Sequence, residues 1–369
     1  MKIADLKTPA FLIDLPRLKA NVQGMQERAQ KNNVALRPHV KTHKTAEIAR
    51  MQITADAPGI TVSTLAEAQF YQKSGFEDIT YAFPIAAGKL PEAAELSANL
   101  KVFNILLDQP QTLSAVAAYG REHGVRFKVF LKVDCGYRRA GVDPSKPESV
   151  RLARQLAAAD HIEFKGILTH AGHSYHSRNA DEIVAVARQE RDVMAQFAGR
   201  LREAGVICET VSVGSTPTAM HAPDWQGVTE IRPGNYAFFD KVQTDIGSCN
   251  LQDVAATVLT TVVAHYPAHN QMLLDAGALA LSKDSGADHL SNGIVFGAVV
   301  NHPHLKIFSI SQEHGLITAD APIAFTDFPV GSQLQIIPNH SCLTAALFPK
   351  YHVVEENQVV DEWTPVRGW

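Results

Sequence analysis

Along its first two thirds the chain alternates short apolar runs with longer stretches whose apolar residues recur every three to four positions. The short runs are VALRPHV (34–40), ITVST (60–64), DITYAF (78–83), VFNILLD (102–108), FKVFLKVD (127–134), FKGILTH (164–170), CETVSVG (208–214) and TEIRPGNYAFF (229–239). Their length and β-branched content predict buried strands. Between them, TLAEAQFYQKSG (64–75), QTLSAVAAYGREHG (111–124), SVRLARQLAAA (149–159) and DEIVAVARQERDVMAQFAGRLREAG (181–205) carry an apolar stripe of helical period. Gly75, Gly124 and Gly205 stand where helix C-caps favour glycine. Eight strands alternating with helices predict an α/β fold, a parallel sheet closed into a (β/α)8 TIM-type barrel. An open doubly wound sheet is the structural alternative.

After about residue 250 the pattern changes. VAATVLTTVVAHY (254–266), MLLDAG (272–277), GIVFGAVV (293–300), LKIFSIS (305–311), SQLQIIP (332–338) and YHVVEENQVVDEW (351–363) follow one another without helical spacers. Val, Ile and Thr dominate them, which predicts a C-terminal antiparallel β-domain. With 369 residues, one large barrel and a smaller domain are a reasonable division.

Composition narrows the partners. Net charge is −4 without basic blocks, which argues against nucleic acid and anionic membrane. No apolar run approaches the roughly 18 residues of a membrane helix. MKIADLKTPAFLIDL lacks the apolar core of a signal peptide, so a cytoplasmic protein is expected. Cys135, Cys208, Cys249 and Cys342 are widely spaced, which argues against a disulfide framework.

On the barrel reading, polar clusters fall just after strands, where barrel active sites form. RPHVKTHK (37–44) places Lys41 after the first strand. Flanked by Arg37 and His43 at a partly buried strand end, this lysine is expected to have a lowered pKa that favours a nucleophilic amine. The alternative is an ordinary surface lysine. GSTPT (214–218) and PGN (233–235) follow the seventh strand and interrupt the eighth, where barrels often hold a phosphate. Ser215, Thr216, Gly234 and Asn235 suit that task, and two ordinary turns are the other reading. A phosphate cradle plus a reactive lysine points to pyridoxal phosphate. HAGHSYH (170–176) offers His170, His173, Tyr175 and His176 for proton transfer or metal binding. In PNHSCLT (338–344), His340 and Cys342 lie two apart, which on an extended segment puts both side chains on one side. Imidazole with thiolate suits zinc, though two ligands are half a site and coincidence is the alternative.

Taken together, TPAFLIDLPRLKANV, RPHVKTHK, KVDCGYRRAGV, GSTPT, RPGNYAFFD, LLDAGALALSKD, SQEHG and PNHSCLT resemble the fold-type III pyridoxal phosphate enzymes with an alanine racemase-like N-terminal domain. More narrowly, they resemble the metal-activated branch of eukaryotic-type D-serine dehydratase, D-threonine aldolase and 3-hydroxy-D-aspartate lyases. The resemblance spans nearly the whole chain, in order. It implies Lys41 as the Schiff-base lysine and Arg139 near the phenolic oxygen of the cofactor. It implies Ser215, Thr216, Gly234 and Asn235 around the phosphate, with Tyr236 at the ring or phosphate. His340 and Cys342 would hold a divalent metal, zinc by preference and manganese as the alternative. The implied division is a barrel over 15–248 and a β-domain built from 1–14 and 249–369, in a homodimer with the active site near the subunit interface.

The resemblance leaves the reaction open. His-x-Cys is similar to the dehydratase pattern, whereas the aldolases carry His-x-Asp. Tyr175 stands where the dehydratases place a tyrosine, and His176 where the aldolases place a histidine base. The expected function is that of a lyase acting on a β-hydroxy-D-amino acid, of D-serine dehydratase type, with D-threonine aldolase as the alternative. An amino-acid racemase or a non-catalytic pyridoxal phosphate carrier fits less well, because neither needs PNHSC.

Overall fold

The computed structural model describes residues 1–290 and 295–369. Two compact units divide them: Gly24–Gly234 with Val366–Trp369, and Met1–Gln23 with Asn235–Pro365.

The strands, in chain order, begin with β1 (Ala10–Asp14). The first unit then holds eight parallel strands: β2 (Ala35–Leu36), β3 (Ile60–Val62), β4 (Asp78–Pro84), β5 (Val102–Leu107), β6 (Phe127–Lys132), β7 (Ile162–Leu168), β8 (Thr210–Val213) and β9 (Glu230–Ile231). Their order is β2-β9-β8-β7-β6-β5-β4-β3, and a parallel bridge from His39 to Thr61 joins the two ends. The eight-stranded α/β reading is thereby observed. β5 and β6 are buried at nearly every position, as strands covered on both faces must be.

The helices fall where the apolar stripes place them, at Leu65–Lys73, Pro110–His123, Pro147–Ala158 and Ala180–Glu203. Asn179 caps the last of these by accepting from the Glu182 amide at 3.0 Å. Gly124 closes the second in the left-handed conformation that glycine adopts without a Cβ penalty. The strand ends were less legible. The run 229–239 is a strand at Glu230–Ile231 alone, and Asn235–Ala237 is a 3-10 turn.

Among the described residues of the second unit nine strands form one sheet: β1, β10 (Ala256–Tyr266), β11 (Gln271–Leu274), β12 (Ala298–Val299), β13 (Leu305–Ile310), β14 (Gly315–Ala319), β15 (Gln333–Ile337), β16 (Tyr351–Glu355) and β17 (Gln358–Trp363). Their order is β11-β14-β13-β12-β15-β10-β1-β16-β17, and β11 also pairs with β10, so the first six close into a small barrel. All pairings are antiparallel except that of β1 with β16. Of the run GIVFGAVV (293–300), Gly293 and Ile294 lie outside the described residues. A helix at Ser341–Leu347 interrupts what looked like uninterrupted β-structure. Among the described residues, no helix is long and apolar enough to cross a membrane.

Candidate active site and metal centre

Val40–Thr42 form a single 3-10 turn, so the chain bends as soon as it leaves the barrel wall. The His39 amide donates to Pro233 O at 2.9 Å. Gly234 permits this approach, since a Cβ there would stand 2.6 Å from His39 O. Lys41 on the turn is exposed, while Val40, Thr42 and His43 are buried.

Arg37 and His43, the neighbours expected to tune Lys41, have partners of their own. Arg37 Nη1 and Nη2 donate to Asp78 at 2.6 and 3.0 Å and its Nε to Glu230 at 2.6 Å. Burial would lower the pKa of this guanidinium, and Glu230 and Asp78 hold it above the usual value. His43 is paired through Nε2 with Gln52 Oε1 at 2.9 Å, and its Nδ1 accepts from the Thr45 amide at 3.1 Å. Burial outweighs those bonds and pushes its pKa down to about 4, so it is neutral. Arg37 and His43 thus each hold other partners, and Lys41 itself is exposed where a partly buried strand end was expected.

His39 and His170 carry the imprint of Lys41 instead. Burial lowers the pKa of each well below the usual range, and the Lys41 charge is the next largest cause in both. Lys132, Arg139 and Arg232 push His170 the same way. Lys132 ends β6 and is buried; burial, then Arg232 and Arg139, push its pKa down to about 7. Arg232 follows β9 and donates to Ser212 Oγ, to Thr169 O and to Val213 O at 3.3 Å; burial pushes its pKa down to about 10, against the pull of Glu230 and Glu190. Two neutral imidazoles and several cations therefore gather around one exposed amine.

The loop carrying Arg139 is shaped by Asp134, whose Oδ1 accepts from the amides of Gly136 and Arg138, both at 2.9 Å. Arg139 lies over the Tyr137 ring, 5.0 Å from its centroid. Tyr137 stacks in turn on His173, which requires Gly172: a Cβ there would come within 2.2 Å of the ring. The 3-10 turn Gly172–His176 leaves Tyr175 half-buried and His176 exposed.

Ser215 is buried and caps a short helix. Its Oγ accepts from the Thr218 amide at 3.3 Å and meets Ser174 Oγ at 2.8 Å, while its amide donates to Thr218 Oγ1 at 3.0 Å. These bonds engage Ser215 within the chain and shape the loop that presents buried Thr216. Behind the loop, Glu190 accepts from the amides of Ala171 and Gly214 at 3.1 and 3.0 Å and from Thr218 Oγ1 at 2.9 Å.

In the second unit Tyr236 is fully buried. Asn235 Nδ2 donates to Asp240 Oδ2 at 2.7 Å, Ser341 Oγ at 3.0 Å and Cys342 Sγ at 3.6 Å. Through Nδ2 the Asn235 side chain thus serves the His340–Cys342 segment. Buried Asp240 also accepts from the Ser341 amide at 3.0 Å. The segment is not extended throughout. His340 has extended dihedrals and caps the helix in which Cys342 is the second residue. The two side chains still meet by a hydrogen bond, so a cap and a first turn do what an extended i, i+2 pair was expected to do. Burial would lower the His340 pKa; the Cys342 sulfur, the Asp284 carboxylate and Asp240 together hold it well above the usual value. His340 Nδ1 lies 3.2 Å from Asp284 Oδ2. Among the described residues, no three His, Cys, Asp or Glu side chains converge on a common point.

These donor sets fit the groups implied. An exposed amine beside neutral imidazoles and a group of cations suits an anionic aldehyde such as pyridoxal phosphate. An imidazole held at Nδ1 beside a thiol suits a borderline-soft divalent ion. Sequence reasoning passed over Lys132, Arg232, Glu190, Asp240 and Asp284. Lys132 and Arg232 interrupt apolar strands, and Glu190 shares a helical stripe with Ile183, Ala187 and Met194, so a buried charge could have been read from each. Asp240 and Asp284 end the motifs RPGNYAFFD and LLDAGALALSKD, which carried the resemblance without giving either residue a role. Cys135 is a buried thiol whose pKa burial pushes up to about 12, as a structural residue has.

Comparison with known proteins adds independent findings. Residues 13–242 match the family described as alanine racemase, N-terminal domain, and residues 255–354 match a serine dehydratase domain. The chain is 40% identical to a D-serine dehydratase of Dictyostelium discoideum, across 100% of this chain and 98% of that one. It is 30% identical to a D-threonine aldolase of Arthrobacter sp., across 98% and 92%. The crystal structure of D-threo-3-hydroxyaspartate dehydratase from Delftia sp. HT23 superposes with a TM-score of 0.95 at 39% identity, each chain covered in full. Another structure of that enzyme is a cysteine mutant in the metal-free form.

Proposed function

The chain belongs to the fold-type III pyridoxal phosphate family that joins an alanine racemase-like domain to a serine dehydratase domain, and on that premise we propose that it is a lyase dehydrating β-hydroxy-D-amino acids, D-serine foremost. The observation that carries the choice of reaction is the sulfur of Cys342 bonded to His340, a soft donor where the aldolase pattern has a carboxylate. The 40% identity to a dehydratase, against 30% to an aldolase, agrees.

When bound, pyridoxal phosphate supplies an electron sink for charge at the substrate Cα, and a divalent ion, zinc by preference, supplies a Lewis acid for the β-oxygen. The rest falls to residues of the chain. Lys41 would hold the cofactor aldehyde and, once displaced by substrate, take the Cα proton. Arg139 would face the phenolic oxygen. Thr216, Gly234 and Asn235 would hold the phosphate, within a loop shaped by Ser215, and buried Tyr236 would wall the ring or phosphate. Lys132, Arg139 and Arg232, the cations that press on His170 beside Lys41, would favour the uncharged amine, the form that can act as a base. His340 and Cys342 would hold the metal. Tyr175 would line the substrate position. D-Serine would lose water to give 2-aminoacrylate, which hydrolyses to pyruvate and ammonia.

Aldol cleavage is the second reading, favoured by exposed His176 next to Tyr175 on one turn. There His176 would take the β-hydroxyl proton and the products would be glycine and an aldehyde. We place the enzyme in the cytoplasm as a homodimer.

Product analysis decides between the two. The holoenzyme is given D-serine and D-threonine, before and after added zinc or manganese. Keto acid plus ammonia is expected from both substrates; glycine plus aldehyde without keto acid would overturn the dehydratase reading.

A further inference from the structure

The loop that carries Asp284 is built around the residue before the metal pair. Asn339, itself buried, donates from Nδ2 to Asp284 O at 2.9 Å and to Val295 O at 2.6 Å. Gly286 makes room for it: its φ is +73°, and a Cβ there would stand 2.9 Å from the Asn339 amide carbon. The Asp284 carboxylate is fixed at one oxygen, where Oδ1 accepts from the Gly286 amide at 2.8 Å. The Asp284 amide donates to Ser282 Oγ at 3.2 Å. Oδ2 is left to face His340 Nδ1 at 3.2 Å.

This arrangement does one chemical thing to His340. A carboxylate at Nδ1 keeps a proton on that nitrogen, so the nitrogen it leaves for a metal is Nε2. The ring cannot flip without losing the bond. Cys342 Sγ, the other donor, accepts from Asn235 Nδ2 at 3.6 Å. Each half of the pair is therefore backed by a side chain whose other bonds hold it still. Asp284 reaches the pair at His340 Nδ1, and among the described residues it forms no three-ligand group with His340 and Cys342.

Resting on the proposed metal role of His340 and Cys342, we propose that Asp284 is the positioning residue of the metal centre, orienting His340 and setting its tautomer without ligating the ion. Outer carboxylates of this kind typically contribute about 10–100-fold in metal affinity.

The test is zinc affinity, measured by chelator competition on the holoenzyme, for the native chain, Asp284→Asn, Asp284→Ala and His340→Ala. The visible absorbance of the bound cofactor and the melting temperature of the metal-free form report that each variant is folded. Asp284→Asn keeps the shape and an acceptor but not the charge, so it is the informative variant if Asp284→Ala fails to fold. About tenfold weaker zinc binding is expected for Asp284→Asn and up to about 100-fold for Asp284→Ala. His340→Ala should lose far more, and saturating zinc should restore most of the rate of the Asp284 variants. Native affinity in both Asp284 variants overturns the proposal. A loss in Asp284→Asn equal to that in His340→Ala overturns it too, by making Asp284 a ligand. If His340→Ala binds zinc like the native chain, it is the metal reading that has failed, and the positioning role falls with it.

Discussion

Ser174 and Ser215 meet hydroxyl to hydroxyl at 2.8 Å, both buried, and so join the turn that carries Tyr175 and His176 to the loop that presents Thr216. Glu190 reinforces the same junction, accepting from Ala171 on one loop and from Gly214 and Thr218 on the other. Replacing Glu190 by Ala leaves two buried amides, those of Ala171 and Gly214, without this acceptor, at about 1–3 kcal/mol each before relaxation, while the Thr218 hydroxyl keeps Ser215 as a partner. Glu190→Ala should lower the denaturation midpoint markedly and weaken cofactor retention, read by urea titration and by absorbance after gel filtration. A variant with native midpoint and native cofactor content would show that the junction is dispensable.

On the proposed reading Lys41 is the amine for the cofactor aldehyde, and Lys132, which also acts on His170, is buried. Lys41→Ala should abolish the visible absorbance of the internal imine and all turnover. Persistence of the native spectrum in that variant would move the reactive amine elsewhere.

Cys342 is expected to set metal choice through softness. Cys342→Asp should weaken zinc binding relative to manganese, and the metal giving the highest activity should shift from zinc toward manganese. Metal titration of the chelator-treated enzyme reads this directly, and an unchanged preference would remove the argument from the sulfur donor.

His176 distinguishes the two reactions. If the enzyme dehydrates, His176→Ala should leave keto-acid formation within about an order of magnitude of native, because Lys41 handles the Cα proton; general bases contribute 10²–10⁴-fold where they act. Loss of keto-acid formation by more than that range would give His176 a role in dehydration that its exposed position does not predict.

Stability should fall as the solution is acidified. His43 has a folded pKa of about 4, lowered by burial from the ordinary 6.5. Its contribution is therefore complete above pH 6.5 and is lost as the pH falls toward about 4. The full span corresponds to roughly 3 kcal/mol. His39 and His170 are shifted in the same direction and add to the slope below pH 6.5. Denaturant melts across that interval should show it, with a flatter profile in His43→Gln. A profile without slope would mean that these imidazoles are solvated in the folded chain.

The barrel was legible because its evidence is local. Strand runs and helical stripes recur within ten to twenty residues of sequence, and the burial of β5 and β6 repeats what their composition says. The resemblance placed Lys41, Arg139, His340 and Cys342 by motif. Local reasoning was weaker at the loops. PNHSC was read as extended and is a cap followed by a helix, since capping depends on what accepts the first amides: here Asp240, about 100 residues earlier in the chain, takes the Ser341 N–H.

From the sequence alone followed the alternating barrel, the β-rich second unit, the family and the residue types for a cofactor and a metal. What only the tertiary structure decided is which neighbours each of those residues has. Arg37 looks adjacent to Lys41 in the chain, yet it is bound by Asp78 and Glu230, while His170, more than a hundred residues away, feels the Lys41 charge. The reason is physical. Periodicity records how a segment divides between core and solvent, which each residue does by itself. Charge pairing and proton placement depend on distances between segments, and those are set when the strands close the barrel.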